Sequence, residues 1–279
     1  MVLAPRRWQT LAVGFLVSSL VWVAGCTAGR PASGLTGPTL RVLQLNLCNS
    51  GIASCYTGRS VRAAAAVISE KQPDIVTLNE ICRADVSQLK QAMSAAHPGM
   101  RIDAAFKATP DRPTGGPFRC TNGQEFGIGV LAAVASSASE NRTYSGVYPI
   151  QDLTDPEERV WLCIHADGEF YACTTHTAST STTIAVDQCR YFLQAAVPAM
   201  RREGGGDPVI LGADLNLLAG HSPGPQSCLP SGYQRADDGS RQDVITSAGV
   251  AVRSRLIVSM NGTTDHPGLL VELTKEGER

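Results

Sequence analysis

Several things are missing from this chain, and each absence narrows what it can be. No long run of Lys or Arg occurs in its 279 residues, and the formal net charge is −1. The electrostatic footprint of an extended nucleic-acid surface is therefore missing, although a local basic rim is compatible with a near-neutral total. No CxxC pair occurs among the nine cysteines, which argues against a metal–thiolate centre. The glycines never form GxGxxG, so a simple dinucleotide-binding unit is not indicated. Internal repeats are absent, and low-complexity sequence is confined to one short tether. Aromatic residues make up 5% of the chain and charged residues 18%, against 43% hydrophobic. That composition suits one soluble domain with a sizeable core, or two small ones.

What is present begins with a leader. "APRRWQTLAVGFLVSSLVWVAGC" carries Arg6 and Arg7, then an apolar run, then small residues before Cys26, the pattern of a secretory signal. Its ending, Val23 to Cys26, resembles the lipobox of bacterial lipoproteins, in which the cysteine is lipidated and becomes the N-terminus. This predicts a signal peptide over residues 1–25 and a protein at the outer face of the cell membrane, held there only by its lipid. An ordinary signal peptide is the alternative. A retained membrane anchor is disfavoured, because the run is at the short end of the ~20 residues a span needs. Residues 26–39, rich in Gly, Pro, Ser and Thr, read as a flexible tether, leaving residues 40–279 as the folded domain. Loss of the leader removes two arginines and no acid, taking the net charge from −1 to −3.

Eight cysteines remain beyond Cys26. An even number in an exported chain implies disulfides. Local geometry suggests Cys48 with Cys55 across a short loop and Cys163 with Cys173 across a hairpin. Cys82 with Cys120 and Cys189 with Cys228 follow by elimination. Each bond stabilises by roughly 2–4 kcal/mol.

From Leu40 onward strands and helices alternate. "TLRVLQLNL" and "PDIVTLNEI" read as strands flanking the helix "GRSVRAAAAVISEKQ", and Asp85–Ala96 reads as a second helix. Residues 108–125 are Pro/Gly-rich and read as a surface loop. "FGIGVLAAVAS" and the hairpin "RVWLCIHADGEFYACTTHT" add three strands. A long helix over 182–202 leads to the strand "PVILGADLN", and the C-terminal stretch returns to short strands. Paired strands with helices between them predict a mixed α/β architecture of sheets covered by helices.

Polar residues stand at strand ends where a core strand would have none: Asn46, Glu80, His176, the Asp214-x-Asn216 pair, and Asp265-His266. Singly, each has an ordinary reading as a cap, a turn or a hydrogen-bonded structural histidine. Together they are harder to dismiss, because α/β proteins assemble sites at the C-terminal ends of strands. Residues two apart in an extended chain point the same way, so Asp214 and Asn216 are expected side by side. Oxygen donors of this kind suit Mg²⁺ or Mn²⁺ rather than zinc. Two histidines near carboxylates suit proton transfer near neutral pH. Both fit metal-assisted attack of water on a phosphate ester.

The ordered segments "QLNLC", "VTLNEI", "TTHTAS", "ILGADLN" and "TTDHPGL", from Gln44 to Leu269, resemble the motifs of the endonuclease/exonuclease/phosphatase superfamily, which includes deoxyribonuclease I-like enzymes. The resemblance implies an α/β fold, a four-layer α/β/β/α sandwich. It implies that Glu80 is the main metal carboxylate, helped by Asn46 and Asp265. Asp214 and Asn216 would orient the attacking water and the phosphoryl oxygens. His266 would exchange a proton or bond the scissile phosphate, Asp243 would orient that histidine, and His176 would be the second phosphate-facing histidine. Arg159 resembles a strand-start arginine that contacts phosphate in some members; an exposed surface arginine is the alternative. Leu47-Cys48 after Asn46, and Ala132-Ala133 where many members carry polar and basic residues, depart from the pattern.

The resulting expectation is an exported, Mg²⁺-dependent monomeric phosphoesterase, with extracellular DNA as the leading substrate. A phospholipid-headgroup phosphodiesterase or a small-molecule phosphatase is the alternative. The former would call for an exposed apolar hairpin, and "TYSGVYPI" is a weak match. A non-catalytic binding module is a further alternative, disfavoured because Glu80 and His266 are both present.

Overall fold

A computed structural model of the chain describes residues 39–53, 58–137 and 141–275. The expected leader, Cys26 and the tether up to residue 38 lie outside the described residues, and Thr39 already belongs to the first strand. The elements run β1 (Thr39–Asn46), α1 (Arg59–Lys71), β2 (Ile75–Cys82), α2 (Arg83–Ala96), β3 (Met100–Ala108), β4 (Phe126–Ala135), β5 (Arg142–Val147), β6 (Val160–Ala166) and β7 (Phe170–His176). They continue α3 (Thr182–Tyr191), α4 (Val197–Gly204), β8 (Val209–Asp214), β9 (Gln234–Asp237), β10 (Gln242–Thr246), β11 (Val250–Val258) and β12 (Gly268–Lys275).

Both N-terminal helices follow from their sequences. In α1, Val61, Ala64, Val67 and Ile68 fall on one buried stripe, the spacing that points one helix face inward. In α2, Val86, Leu89 and Met93 do the same, and the Asp85 carboxylate accepts the Cys82 N–H at 2.8 Å to close the first turn. The single helix expected over 182–202 is instead α3, a π-helical segment at Phe192–Ala196, and α4. Pro198 has no N–H to return to the carbonyl four residues back, so the regular ladder cannot run through this point.

The strands form two six-stranded mixed sheets, ordered β11-β12-β1-β2-β4-β3 and β5-β6-β7-β8-β10-β9. Period-two alternation assigns each strand's side chains to a layer. Leu43, Leu45, Val76 and Leu78 pack outward against α1 and α2 residues. Val42, Ile75, Ala172, Ile210, Val244 and Val271 meet between the sheets. Tyr171, Cys173, Leu211 and Ile245 pack outward with α3 and α4 residues such as Val186 and Val197. The layers are therefore helix, sheet, sheet, helix, as expected. The edge strands β3 and β5 and the short β9 are not foreseen by the sequence. Met100–Ala108 is mostly half-buried, so no clean apolar alternation marks it.

Three expected disulfides are present: Cys82–Cys120, Cys163–Cys173 and Cys189–Cys228. They fit an oxidising compartment. The fourth expected pair involves Cys55, which lies outside the described residues. Cys163 and Cys173 are direct cross-strand partners in the β6–β7 hairpin. Cys82–Cys120 ties the end of β2 to the irregular 108–125 segment, which also carries isolated bridges from Pro110 to Pro117 and from Asp111 to Glu157.

Candidate active site

The inter-sheet layer changes character along its length. Toward the C-terminal ends of β1, β2, β7 and β8 its apolar residues give way to Gln44, Thr77, Asn79, Thr174 and Gln242, each fully buried. These side chains complete one another's hydrogen bonds. Asn79 Oδ1 accepts from Gln44 Nε2 at 2.7 Å and from the Asp214 N–H at 2.9 Å. Its Nδ2 donates to Thr175 O at 3.0 Å and Thr174 Oγ1 at 3.3 Å. Thr77 Oγ1 donates to Gln44 Oε1 at 2.6 Å, and Gln242 Oε1 accepts the Asn46 N–H at 3.1 Å. A Cβ at Gly212 would stand 2.0 Å from Thr77 Oγ1, so only glycine allows this approach of the two sheets. The seam was missed from sequence. Its signal is a polar or tiny residue two positions before each strand-end site residue: Gln44 before Asn46, Thr174 before His176, Gly212 before Asp214.

Above the seam opens a cleft of about 540 Å³ whose lining includes Glu80, His176, Asp214, Asn216, Asp265 and His266. Glu80 does not end its strand. It lies in a bulge between Leu78 and Ile81, with φ +54°, and β2 resumes beyond it. A bulge re-aims a side chain, and a non-glycine residue held at positive φ is a strained position of the kind that collects at functional sites. Asp214 closes β8, but the chain leaves the extended conformation there, and Asn216 adopts φ +51°. The pair therefore does not share a strand face. Instead the Asn216 N–H folds back onto Asp214 Oδ1 at 3.0 Å, and its Nδ2 donates to Thr177 O at 3.0 Å. Asp265 and His266 occupy the turn before β12 rather than its first positions.

The electrostatics follow from this burial. The Glu80 and Asp214 carboxyls are both pushed up by desolvation. Asn46 opposes this in each by donating Nδ2 to Glu80 Oε1 at 2.8 Å and Asp214 Oδ2 at 3.1 Å. His266 Nε2 stands 3.6 Å from Asp214 Oδ2 and 3.8 Å from Asp265 Oδ1. His176 is held well below its ordinary value, first by burial, then by Arg159 and His266. A guanidinium can only donate, so its Nη1 contact with His176 Nδ1 at 3.0 Å fixes the neutral tautomer with the proton on Nε2. His176 Nε2 lies 3.8 Å from Glu80 Oε1.

Three expected site residues make contacts that their motifs did not reveal. Asn46 directs its nitrogen to the carboxylates while Oδ1 accepts the Cys48 N–H at 3.0 Å; it clamps Glu80 to Asp214. Asp243 gives Oδ1 to Arg235 Nη1 at 2.7 Å and does not orient His266. The reason is register. Gln242 is the residue opposite Asp214, while Asp243 pairs with Ala213 and so projects to the other face of the sheet. Arg159 is neither exposed nor free. It is buried, with Asp155 at 2.8 Å and Glu157 at 3.2 Å from its Nη atoms. Burial pushes Glu157 up to about 7 despite that arginine.

Among the described residues, Glu80 and Asp214 form no ion pair with Lys or Arg, and Glu80, Asp214 and Asp265 do not close into a tight three-ligand cage. Carboxylates opposed only by histidines, and not gathered into one cage, fit a hard cation that keeps several waters and relies on one or two carboxylates plus substrate phosphate. The tightest acid–histidine group among the described residues is elsewhere, at His165, Asp167 and Asp207. It lies where β6 turns into β7, the opposite end of the sheet from the cleft, and Asp207 there accepts from Gly168 N–H and His165 Nε2.

Two facing mixed sheets, helices outside, and acids with histidines gathered at strand ends define a hydrolytic α/β sandwich suited to phosphoesters. The chain belongs to the Endonuclease/Exonuclease/phosphatase family, whose model matches residues 43–266. Members of this family are hydrolases of phosphoester bonds. No curated protein matches the chain. Among solved structures, a family protein from Bacteroides thetaiotaomicron is 15% identical, with TM-score 0.63 over 88% of this chain and 99% of that one. The human Nocturnin catalytic domain with bound sulfate is 17% identical, with TM-score 0.61 over 85% and 94%. A family protein from Beutenbergia cavernae is 18% identical, with TM-score 0.60 over 86% and 72%. At these identities the likeness is one of fold.

Proposed function

We propose that the protein is an exported, Mg²⁺- or Mn²⁺-dependent phosphodiesterase that cleaves DNA outside the cell, working as a monomer tethered to the membrane only through lipidated Cys26. The observation that carries the phosphodiesterase reading is the tautomer of His176. A neutral Nε2–H donor fixed by Arg159 binds a phosphoryl oxygen without titrating near neutral pH.

Glu80 and Asp265 would hold the cation, which supplies Lewis-acid polarisation of the phosphoryl group. Asp214, desolvated and so more basic than an ordinary carboxylate, accepts the proton of the attacking water. Asn216 keeps its second amide N–H and its oxygen for the water and a phosphoryl oxygen, since one N–H is given to Thr177. His266 Nε2, beside Asp214 and Asp265, faces the departing oxygen. A second reading, a small phosphate ester with an apolar leaving group, is favoured by Ile52, Phe118 and Phe126, which form an apolar stretch of the same cleft.

The test is supercoiled plasmid incubated with the oxidised protein and Mg²⁺, beside EDTA and His266→Ala samples. Nicking that requires both metal and His266 supports the proposal. A folded protein that nicks nothing, yet hydrolyses an aryl phosphate ester with Mg²⁺, moves the assignment to the second reading.

A further inference from the structure

Arg159 lines the cleft, but its charge is already opposed by neighbouring acids. Asp155, Glu157 and His176 Nδ1 surround it, and it is 3% exposed. The cleft nevertheless has a second arginine, Arg241, which no sequence motif singled out. Its backbone is fixed against the catalytic turn. The Arg241 carbonyl accepts the N–H of Leu215, the residue between Asp214 and Asn216, at 3.0 Å, and Ser240 O accepts the Ala219 N–H at 2.9 Å. The next residue, Gln242, is the cross-strand partner of Asp214. The Arg241 side chain is exposed, lines the cleft, and makes no hydrogen bond or ion pair among the described residues. This holds although five carboxylates line the same cleft. A guanidinium on a fixed backbone, left unpaired beside acids, is available for an outside anion and matches the planar fork of phosphate.

We infer that Arg241 is a specificity residue that binds a second anionic group of the substrate, one phosphate removed from the scissile phosphate. Its exposure puts it at the mouth of the cleft, outside the half-buried Glu80 and the buried His176 and Asp214 that would surround the scissile group. The inference rests on the phosphodiesterase reading for the identity of the inner phosphate. The second anion has two sources, the next phosphate of a nucleic-acid strand or the other phosphate of a small bisphosphate.

The experiment compares thymidine 5′-(p-nitrophenyl phosphate) with and without a 3′-phosphate, in Mg²⁺, as a ratio of kcat/KM values. An oligothymidylate is the third substrate. The wild-type protein prefers the 3′-phosphorylated ester. Arg241→Ala lowers that preference about 10-fold, mainly through KM, as loss of one charge-assisted contact should. Arg241→Lys recovers part of it, and Arg202→Ala, an exposed arginine on α4, keeps the wild-type ratio. A parallel loss on the oligothymidylate assigns the anion to a nucleic-acid strand, and a loss confined to the small substrate assigns it to bisphosphates. An unchanged ratio in Arg241→Ala, or an equal loss on both esters, overturns the inference. If the wild-type protein hydrolyses neither ester, the phosphodiesterase reading fails. Calorimetric binding of thymidine 3′,5′-bisphosphate against thymidine 5′-phosphate then judges Arg241 by the same ratio.

Discussion

Asn79 offers the sharpest test of how the site is held. Its side chain spans the two sheets and uses two donors and an oxygen in four hydrogen bonds, with no exposure to water. Asn79→Leu keeps the volume close and removes all four. At about 1 kcal/mol net per bond the loss is about 4 kcal/mol. The stranded Asp214 N–H and Thr175 carbonyl each add a desolvation cost of about 1 kcal/mol, the low end for groups that can relax, and the buried Leu side chain returns about 1.5–3. The expected net is about 4 kcal/mol, near the top of single-residue effects. In urea, with a slope of about 2–3 kcal/mol/M, the midpoint should fall by about 1.5 M at an unchanged slope. Thr174→Val removes only the 3.3 Å bond and should cost under about 1 kcal/mol. A midpoint shift below about 0.4 M for Asn79→Leu would refute the claim that this seam couples the sheets. Activity should fall as well, because the Asp214 backbone loses its anchor in the opposite sheet.

Three further expectations concern the rest of the site and its frame. Arg159→Leu leaves Asp155 and Glu157 uncompensated and should destabilise by about 3–5 kcal/mol; a loss under about 1 kcal/mol in chemical unfolding would mean the arginine is not buried as described. At pH 6, ¹⁵N NMR should show His176 neutral with its proton on Nε2. Because the unfolded histidine takes up a proton near 6.5 and the folded one does not, His176 makes stability fall as pH drops below 6.5; His176→Asn should remove that part of the slope. The Cys82→Ser/Cys120→Ser double variant opens a link across 38 residues and should cost about 4 kcal/mol in the chain-entropy account, read by thermal unfolding.

The sequence carried more of the sheets than of the site's wiring. Asn46, His176 and Asp214 end β1, β7 and β8 as expected, because apolar runs that stop at a polar residue mark a strand's C-terminus clearly. Position is local information, but orientation is not. Whether Asn46 offers oxygen or nitrogen depends on Cys48 N–H, and whether Asp243 faces the cleft depends on pairing with β8, one residue out of step with the face expected. The bulge at Glu80 is likewise set by β4, which no short motif reveals. Gln44, Asn79 and Gln242 went unremarked because each is an ordinary amide until the opposite sheet supplies its partners.

The caged arginine has one more consequence, for the order of events in solution. With Arg159 held by Asp155 and Glu157, the cleft's remaining acids Glu80, Asp214 and Asp265 outnumber its one unpaired cation among the described residues, Arg241, so the free protein should repel the polyanions it is proposed to cut. A basic groove loses its substrate as salt rises. Here screening should ease approach at low divalent concentration. If the proposed cation binds there, it would turn a repulsive basin into an attractive one, making substrate capture and chemistry conditional on the same event.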